Sequence, residues 1–169
     1  MHALHSTQRP WIHTLVGADT RLTRDAGSIF AARLDGRRMR SPGELFTEIA
    51  RALSFPGYFG QNWDALDECL NDLSWLPAKN ANEPIVLIIS DAGELLQNEP
   101  ELKKLLLILS SASVRWNQPP KTQPHNRAAR PFHTVFECKN EREAEWMIHI
   151  AGEAGVDASI LGALTPLSV

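Results

Sequence analysis

Near the middle of the chain five aliphatic residues stand in a row, Ile85-Val86-Leu87-Ile88-Ile89, between Pro84 and Ser90. A strand with one wet face alternates apolar and polar residues; this run has no polar face to offer, so it predicts a strand covered on both sides. Such a strand belongs in a parallel sheet with helices against it, and the flanking sequence supplies the neighbours. Ser28 to Leu34, stopped by Asp35-Gly36, predicts one strand, and Phe132 to Cys138 another. Ser41-Pro42-Gly43-Glu44 carries helix-start chemistry, with Ser at the cap, Pro in the first position and Glu in the third; the apolar positions Leu45, Phe46, Ile49 and Leu53 then run on until Pro56. A second helix opens at Asn62, a short one is expected over Ser90 to Leu96, and a longer one runs from Glu99 to about Trp116 with Leu102, Leu105, Leu106 and Leu109 inward. The expectation is a layered α/β domain around a small three-stranded parallel sheet.

The ends of the chain say less. Residues 1–27 show no strong period and read as an N-terminal extension, although Trp11, Ile12, Leu15 and Val16 could form a short packed element. The α/β unit then spans 28–138 and includes an exposed loop over 117–131, where four prolines accompany Lys121, His125, Arg127 and Arg130. Residues 139–169 form a C-terminal helix, opened by Asn140 and carrying Trp146, Met147 and Ile150, followed by a tail. Covering an edge strand is the expected role of that helix.

With 169 residues and 43% hydrophobic content, one domain can bury a full core. Its two cysteines, Cys69 and Cys138, read as reduced core thiols, and no apolar run approaches membrane-spanning length. A cytoplasmic protein with no membrane partner is expected. His2, His5 and His13 lack ligand spacing, and no metal or cofactor is expected.

Function enters through the segment Phe55-Pro56-Gly57-Tyr58-Phe59-Gly60-Gln61-Asn62, an aromatic turn hinged on glycine, and the acidic helix it feeds. With Asn62 as cap, 100° per residue sends Trp63, Leu66, Leu70 and Leu73 to the core; Asp64, Asp67, Glu68, Asn71 and Asp72 go outward. Carboxylates at i and i+4 repel by about 0.2–0.5 kcal/mol a pair, so the stripe opposes local helix stability, as functional surfaces often do. From Ala52 to Leu102 nine acidic residues face Lys79 alone, a local charge of −8 within a chain of net −3, which leaves +5 elsewhere. Such a face steers a cationic partner and repels nucleic acid. The cations of the 117–131 loop lack interleaved aromatics, so no nucleic-acid partner is expected there either.

The stretch from Phe55 to Trp75 resembles the signature of the barstar family, intracellular inhibitors that bind ribonucleases and block their active sites. The shared elements are the Pro, Tyr, aromatic, Gly turn, Asn62 opening the helix, the Asp64-Ala65-Leu66 triplet, and an acid followed by Cys69-Leu70. About twenty residues match closely, and the wider order of elements fits over residues 28 to 138. The resemblance implies a layered fold with a small parallel sheet, no catalysis, and inhibition by mimicry, with carboxylates placed where substrate phosphates would sit. It assigns Tyr58 to the turn aromatic, Asp64 to the first-turn acid and Glu68 to the central carboxylate. Gly60 would permit a positive φ or a tight turn, Asn62 would cap, and Trp63, Leu66 and Leu70 would pack. Such proteins often serve as the immunity protein, or antitoxin, of a toxin encoded beside them. The chain departs from the family pattern where Glu replaces the shorter Asp at 68, where Asp67 replaces an aromatic, and where Asn71-Asp72-Leu73 replaces a Thr-Gly-Trp stretch. A further acid of the long helix aligns near Ser111.

Two other classes compete. Asp64, Asp67 and Glu68 at i, i+3 and i+4 have the spacing to hold Mg²⁺ in a metal-dependent hydrolase, but neither a second acidic motif, nor a P-loop, nor HExxH accompanies them. A non-inhibitory interaction module could use the same acidic face for another basic protein.

Overall fold

The computed structural model describes residues 2–17, 29–76, 83–119 and 128–161. Its strands are β1 (Ile12–Val16), β2 (Phe30–Asp35), β3 (Ile85–Ser90), β4 (Phe132–Cys138) and β5 (Ala158–Ile160). Its helices are α1 (Pro42–Ala52), α2 (Trp63–Asp72), α3 (Glu99–Asn117) and α4 (Glu141–Glu153). The strands form one sheet in the order β2-β3-β4-β1-β5, parallel at every pairing. The aliphatic run is β3, second from one edge, with every residue from Ile85 to Ile89 buried.

The sheet therefore has five strands, not three. The expected three are β2, β3 and β4. Two more lie beyond β4: β1 within the first 27 residues and β5 within the tail. β1 pairs with β4 from Ile12↔Thr134 to Val16↔Cys138, and β5 pairs with β1 from Ile12↔Ala158 to Thr14↔Ile160. β4 is buried at all seven positions, which requires hydrogen-bonded company on both edges. β1 supplies it.

The two faces of the sheet bury different sets of residues. Ile85, Leu87 and Ile89 of β3 join Phe132, Phe136, Ala32, Leu34 and Ile12 in the large core under the helices. Val86 and Ile88 point the other way and pack with Val135, Leu15, Ile29 and Leu4, the last carried on an N-terminal 3-10 turn. The period of two thus resolves a run that looks uniform in sequence.

Helix starts follow local chemistry. At α1, Glu44 accepts from the backbone N–H and the hydroxyl of Ser41, both at 3.0 Å, with Pro42 at the first position. At α4, Asn140 Oδ1 accepts from Glu143 N at 3.0 Å. The short helix expected over Ser90 to Leu96 is a single 3-10 turn, Ala92–Glu94. Cys69 and Cys138 are free and buried. Most of the 117–131 loop lies outside the described residues, as do the 77–82 connection and the last eight residues. At the described ends of that loop Gln118, Ala128 and Ala129 are exposed, as expected, whereas Asn117, Arg130 and Pro131 are buried. Arg130 is 7% exposed, its guanidinium lies 5.9 Å from the Trp116 ring, and its Nε donates to the Glu83 carbonyl. Stacking and a charge-assisted hydrogen bond offset the desolvation that its sequence context does not reveal.

Glu48, 2% exposed, is a buried acid of α1 that no sequence pattern singles out. Its carboxylate accepts from Arg51 at 2.6 and 2.9 Å and from Asp35 N at 3.4 Å, and Arg38 lies 3.6 Å away. The Arg51 hydrogen bond holds its pKa below the ordinary value of 4.5. Its contribution is complete above that value and is lost as pH falls through the lowered one. Glu48→Ala is expected to cost about 1–2 kcal/mol at neutral pH, an effect that shrinks in acid and that thermal melts across pH will read.

Candidate protein-binding site

The acidic helix is set in place by its neighbours before any partner arrives. Asn62 Oδ1 accepts from Ala65 N at 2.9 Å and caps α2, while its amide donates to the Gly60 carbonyl at 3.2 Å. Gly60 is needed for this close approach, since an added Cβ would meet Asn62 Nδ2 at 3.0 Å; the left-handed residue of the turn is Gln61, at φ 48°. The helix ends on Leu73, at φ 43°. Leu66, Leu70 and Leu73 are buried, and half-buried Trp63 meets Phe46 edge-on at 5.0 Å. The chain of edge-to-face rings continues through Phe59 and Phe55 to Trp75, stapling the loop that carries Tyr58. Two indoles close the frame. Trp116 Nε1 of α3 donates to the Leu70 carbonyl at 2.8 Å, and Trp75 Nε1 donates to the Leu53 carbonyl at 2.9 Å; both acceptors lie at helix C-termini, where carbonyls lack helical partners.

On this frame Tyr58, 73% exposed, overhangs a hollow of about 250 Å³ whose other walls are Phe59, Ala65, Glu68, Cys69 and Asp72. Of the residues assigned from sequence, Tyr58, Glu68 and Asp72 meet here. Asp64 is exposed one turn before Glu68 and continues the stripe, whereas half-buried Asp67 and Asn71 do not line the hollow. Asn71 donates its amide to the Asp67 carbonyl at 2.7 Å, which ties it to the helix backbone. Phe59, Ala65 and Cys69 give the hollow an apolar floor. Burial, with Asp72 and Glu68 nearby, raises the Cys69 pKa, so the thiol stays protonated; burial and Asp72 raise that of Tyr58.

The α2 acids contrast with much of the remaining surface. Asp35 and Asp91 pair with Arg37, Glu94 with Arg40, and Glu99 and Glu153 with Lys103, whereas exposed Glu141, Glu145 and Asp157 have no ion pair among the described residues. Among the described residues, no cation comes within ion-pair distance of Asp64, Asp67, Glu68 or Asp72. Lys104 of α3, the nearby candidate, lies over the Trp63 ring at 5.4 Å instead. A larger hollow, about 420 Å³, lies at the start of α4, but its Glu143 accepts from Gly93 N and its Glu94 pairs with Arg40 and Lys139. Open negative charge is concentrated on α2.

Ser111, the position aligned with a family acid, is exposed on α3 and outside the Tyr58 hollow. Among the described residues no group of three His, Cys, Asp or Glu side chains is arranged to hold a metal ion, and no helix is long and apolar enough to cross a membrane.

Fold and site define a parallel α/β protein that presents an uncompensated acidic helix. The family model described as Barstar (barnase inhibitor) matches residues 29–147, well over half of the chain, and the chain belongs to the barstar family. It is a barnase-inhibitor-like protein, of a family whose partners are ribonucleases. No curated protein matches it. Among solved structures it is similar to the Aeropyrum pernix ORC2 protein in ADPNP–ADP complexes, at 10% identity and a TM-score of 0.53, over 93% of this chain and 42% of that one. The ADP form of the same protein gives 10% identity and 0.47 over 94% and 43%. Drosophila ORC bound to GC-rich DNA and Cdc6 gives 12% and 0.43 over 94% and 52%. The chain thus spans about 42% of the ORC2 chain, and the likeness is one of fold alone: a larger parallel sheet than the three strands expected.

Proposed function

We propose that this protein is an immunity protein that inhibits a basic ribonuclease or related toxin by laying α2 and the Tyr58 turn into its cationic active-site cleft. One observation carries the reading: among the described residues Glu68 and Asp72 have no ion pair and stand beside an exposed tyrosine on a pre-formed frame, while Asp35, Glu48, Asp91, Glu94, Glu99 and Glu153 are neutralised by arginine or lysine. A carboxylate already free of intramolecular partners gives up only water when it meets Arg, Lys or His, and the charge-assisted hydrogen bonds it gains are the strong kind. Asp64 and Asp67 add to the field that steers the partner, and the whole stripe is borne by the unit 28–138. The partner so described is a protein; a cytoplasmic setting follows from the need to meet the toxin where RNA is.

Calorimetric titration against a catalytically disabled form of the toxin-like protein encoded beside this one tests the reading. Expected are one-to-one binding at nanomolar or tighter Kd and roughly tenfold or greater weakening by Tyr58→Ala, since an exposed tyrosine at the centre of an interface is a common hot spot. Absence of binding by the wild type would contradict it.

A further inference from the structure

On the sheet face away from the four helices, His13 of β1 and His133 of β4 lie side by side at 2% and 0% exposure, their rings stacked with centroids 5.2 Å apart. His133 Nε2 is 2.8 Å from the Ser6 carbonyl, His133 Nδ1 is 3.0 Å from His13 Nε2, and His13 Nδ1 is 3.1 Å from Ser159 Oγ. A carbonyl only accepts, so His133 must carry its proton on Nε2. Its Nδ1 is then an acceptor, His13 must donate from Nε2, and His13 Nδ1 accepts from the Ser159 hydroxyl. With both rings neutral every link has one polarity. A neutral His133 is required, because its Nδ1 must accept from His13 Nε2, whereas a proton on His13 Nδ1 would turn the Ser159 hydroxyl into the acceptor.

The chain of hydrogen bonds joins the N-terminal segment, β4, β1 and β5 in turn. Of these, only His133 lies within the residues the family model matches; Ser6, His13 and Ser159 lie outside 29–147. We infer that the His13–His133 pair is a proton-sensitive clasp that holds β1, β5 and the N-terminal turn onto the edge of the family domain. A proton added to His133 Nδ1 would face the His13 donor at 3.0 Å; one added to His13 Nδ1 leaves a buried imidazolium beside a second imidazole. No described carboxylate comes within ion-pair distance of either ring. Besides His13, His133 feels His5 on the N-terminal turn, which opposes its protonation, and other charged groups of the packed elements are turned to other partners or to solvent. Arg9 lies over Trp11, and Glu137, further along β4, pairs with Arg33; Asp157 is exposed ahead of β5.

Burial, reinforced by the neighbouring ring, lowers the His13 pKa from 6.5 to about 4, and burial lowers that of His133 as well. The sign follows: above 6.5 the rings are neutral whether the clasp is closed or open, and no penalty arises. Between 6.5 and about 4 the open form binds protons that the closed form refuses, so acid drives opening by up to about tenfold per pH unit through His13 alone. Opening frees β1 and β5 and leaves β2, β3 and β4 paired beneath α1 to α3.

Hydrogen–deuterium exchange of the full chain, corrected for the intrinsic effect of pH, reads this directly. Protection of residues 12–16 and 158–160 is expected to fall as pH drops from about 7 to about 5, while that of β2 and β3 holds. Side-chain nitrogen NMR is expected to show both rings protonated on Nε2 and neutral at about pH 6. In the double variant His13→Phe, His133→Phe the acid-dependent loss is expected to vanish. Wild-type protection of β1 that does not change with pH, rings that titrate near 6.5 without effect on β1, or an acid loss that persists in the double variant would each overturn the clasp.

Discussion

Glu68→Ala is expected to weaken association with the cognate ribonuclease-like partner by about 2–5 kcal/mol, roughly 30-fold to several thousand-fold in Kd, with little change in the thermal midpoint. The carboxylate lines the Tyr58 hollow and makes no ion pair among the described residues, so its removal breaks nothing in the free protein. Its absence also relieves repulsion with Asp64 and Asp72, each one turn away, which favours the helix slightly. In the complex the same truncation would leave desolvated cations of the partner without their counter-charge, and that penalty dominates. Surface plasmon resonance paired with calorimetric melting separates the two effects; a destabilised protein with unchanged affinity would reverse the assignment.

Leu70→Ala should do the opposite. Leu70 is fully buried two residues further along α2, and its carbonyl takes the Trp116 indole hydrogen bond at 2.8 Å. Truncating a buried leucine removes its transfer free energy and leaves a cavity, together about 2–5 kcal/mol. For a domain of this size 1 kcal/mol moves the midpoint by about 2–4 °C, so the variant is expected to melt roughly 5–15 °C lower. Binding measured well below that midpoint should stay close to wild type, because the carboxylates are untouched. On the proposed reading two neighbours on one short helix would divide, Leu70 supporting the fold and Glu68 meeting the partner.

How much of this was legible in the chain depends on how local the signal is. β3 announces itself because five aliphatic residues leave no wet face, and α1, α2 and α4 carry their caps at Ser41, Asn62 and Asn140. β1 and β5 carry no such mark. The first mixes His13 and Thr14 among its apolar residues, the second has three residues, and both become strands only through β4, some 120 positions away from β1 in sequence. Buried His13 and Thr14 read as surface residues until the sheet that hides them is in view. The acidic stripe is visible from helical spacing alone, since 100° per residue is enough to line up Asp64, Glu68 and Asp72. Spacing cannot show that Tyr58 roofs a hollow over Glu68, or that Lys104 rests on Trp63. These depend on which segments pack together, as does the placing of the left-handed turn residue at Gln61 instead of Gly60.

The central claim is that α2 closes a ribonuclease active site, and the most direct test is RNA cleavage by the active toxin encoded beside this protein, followed as the protein is added in rising amounts. Inhibition that grows linearly and is complete at one equivalent is the predicted result. Undiminished cleavage in the presence of a large excess of folded protein would contradict it.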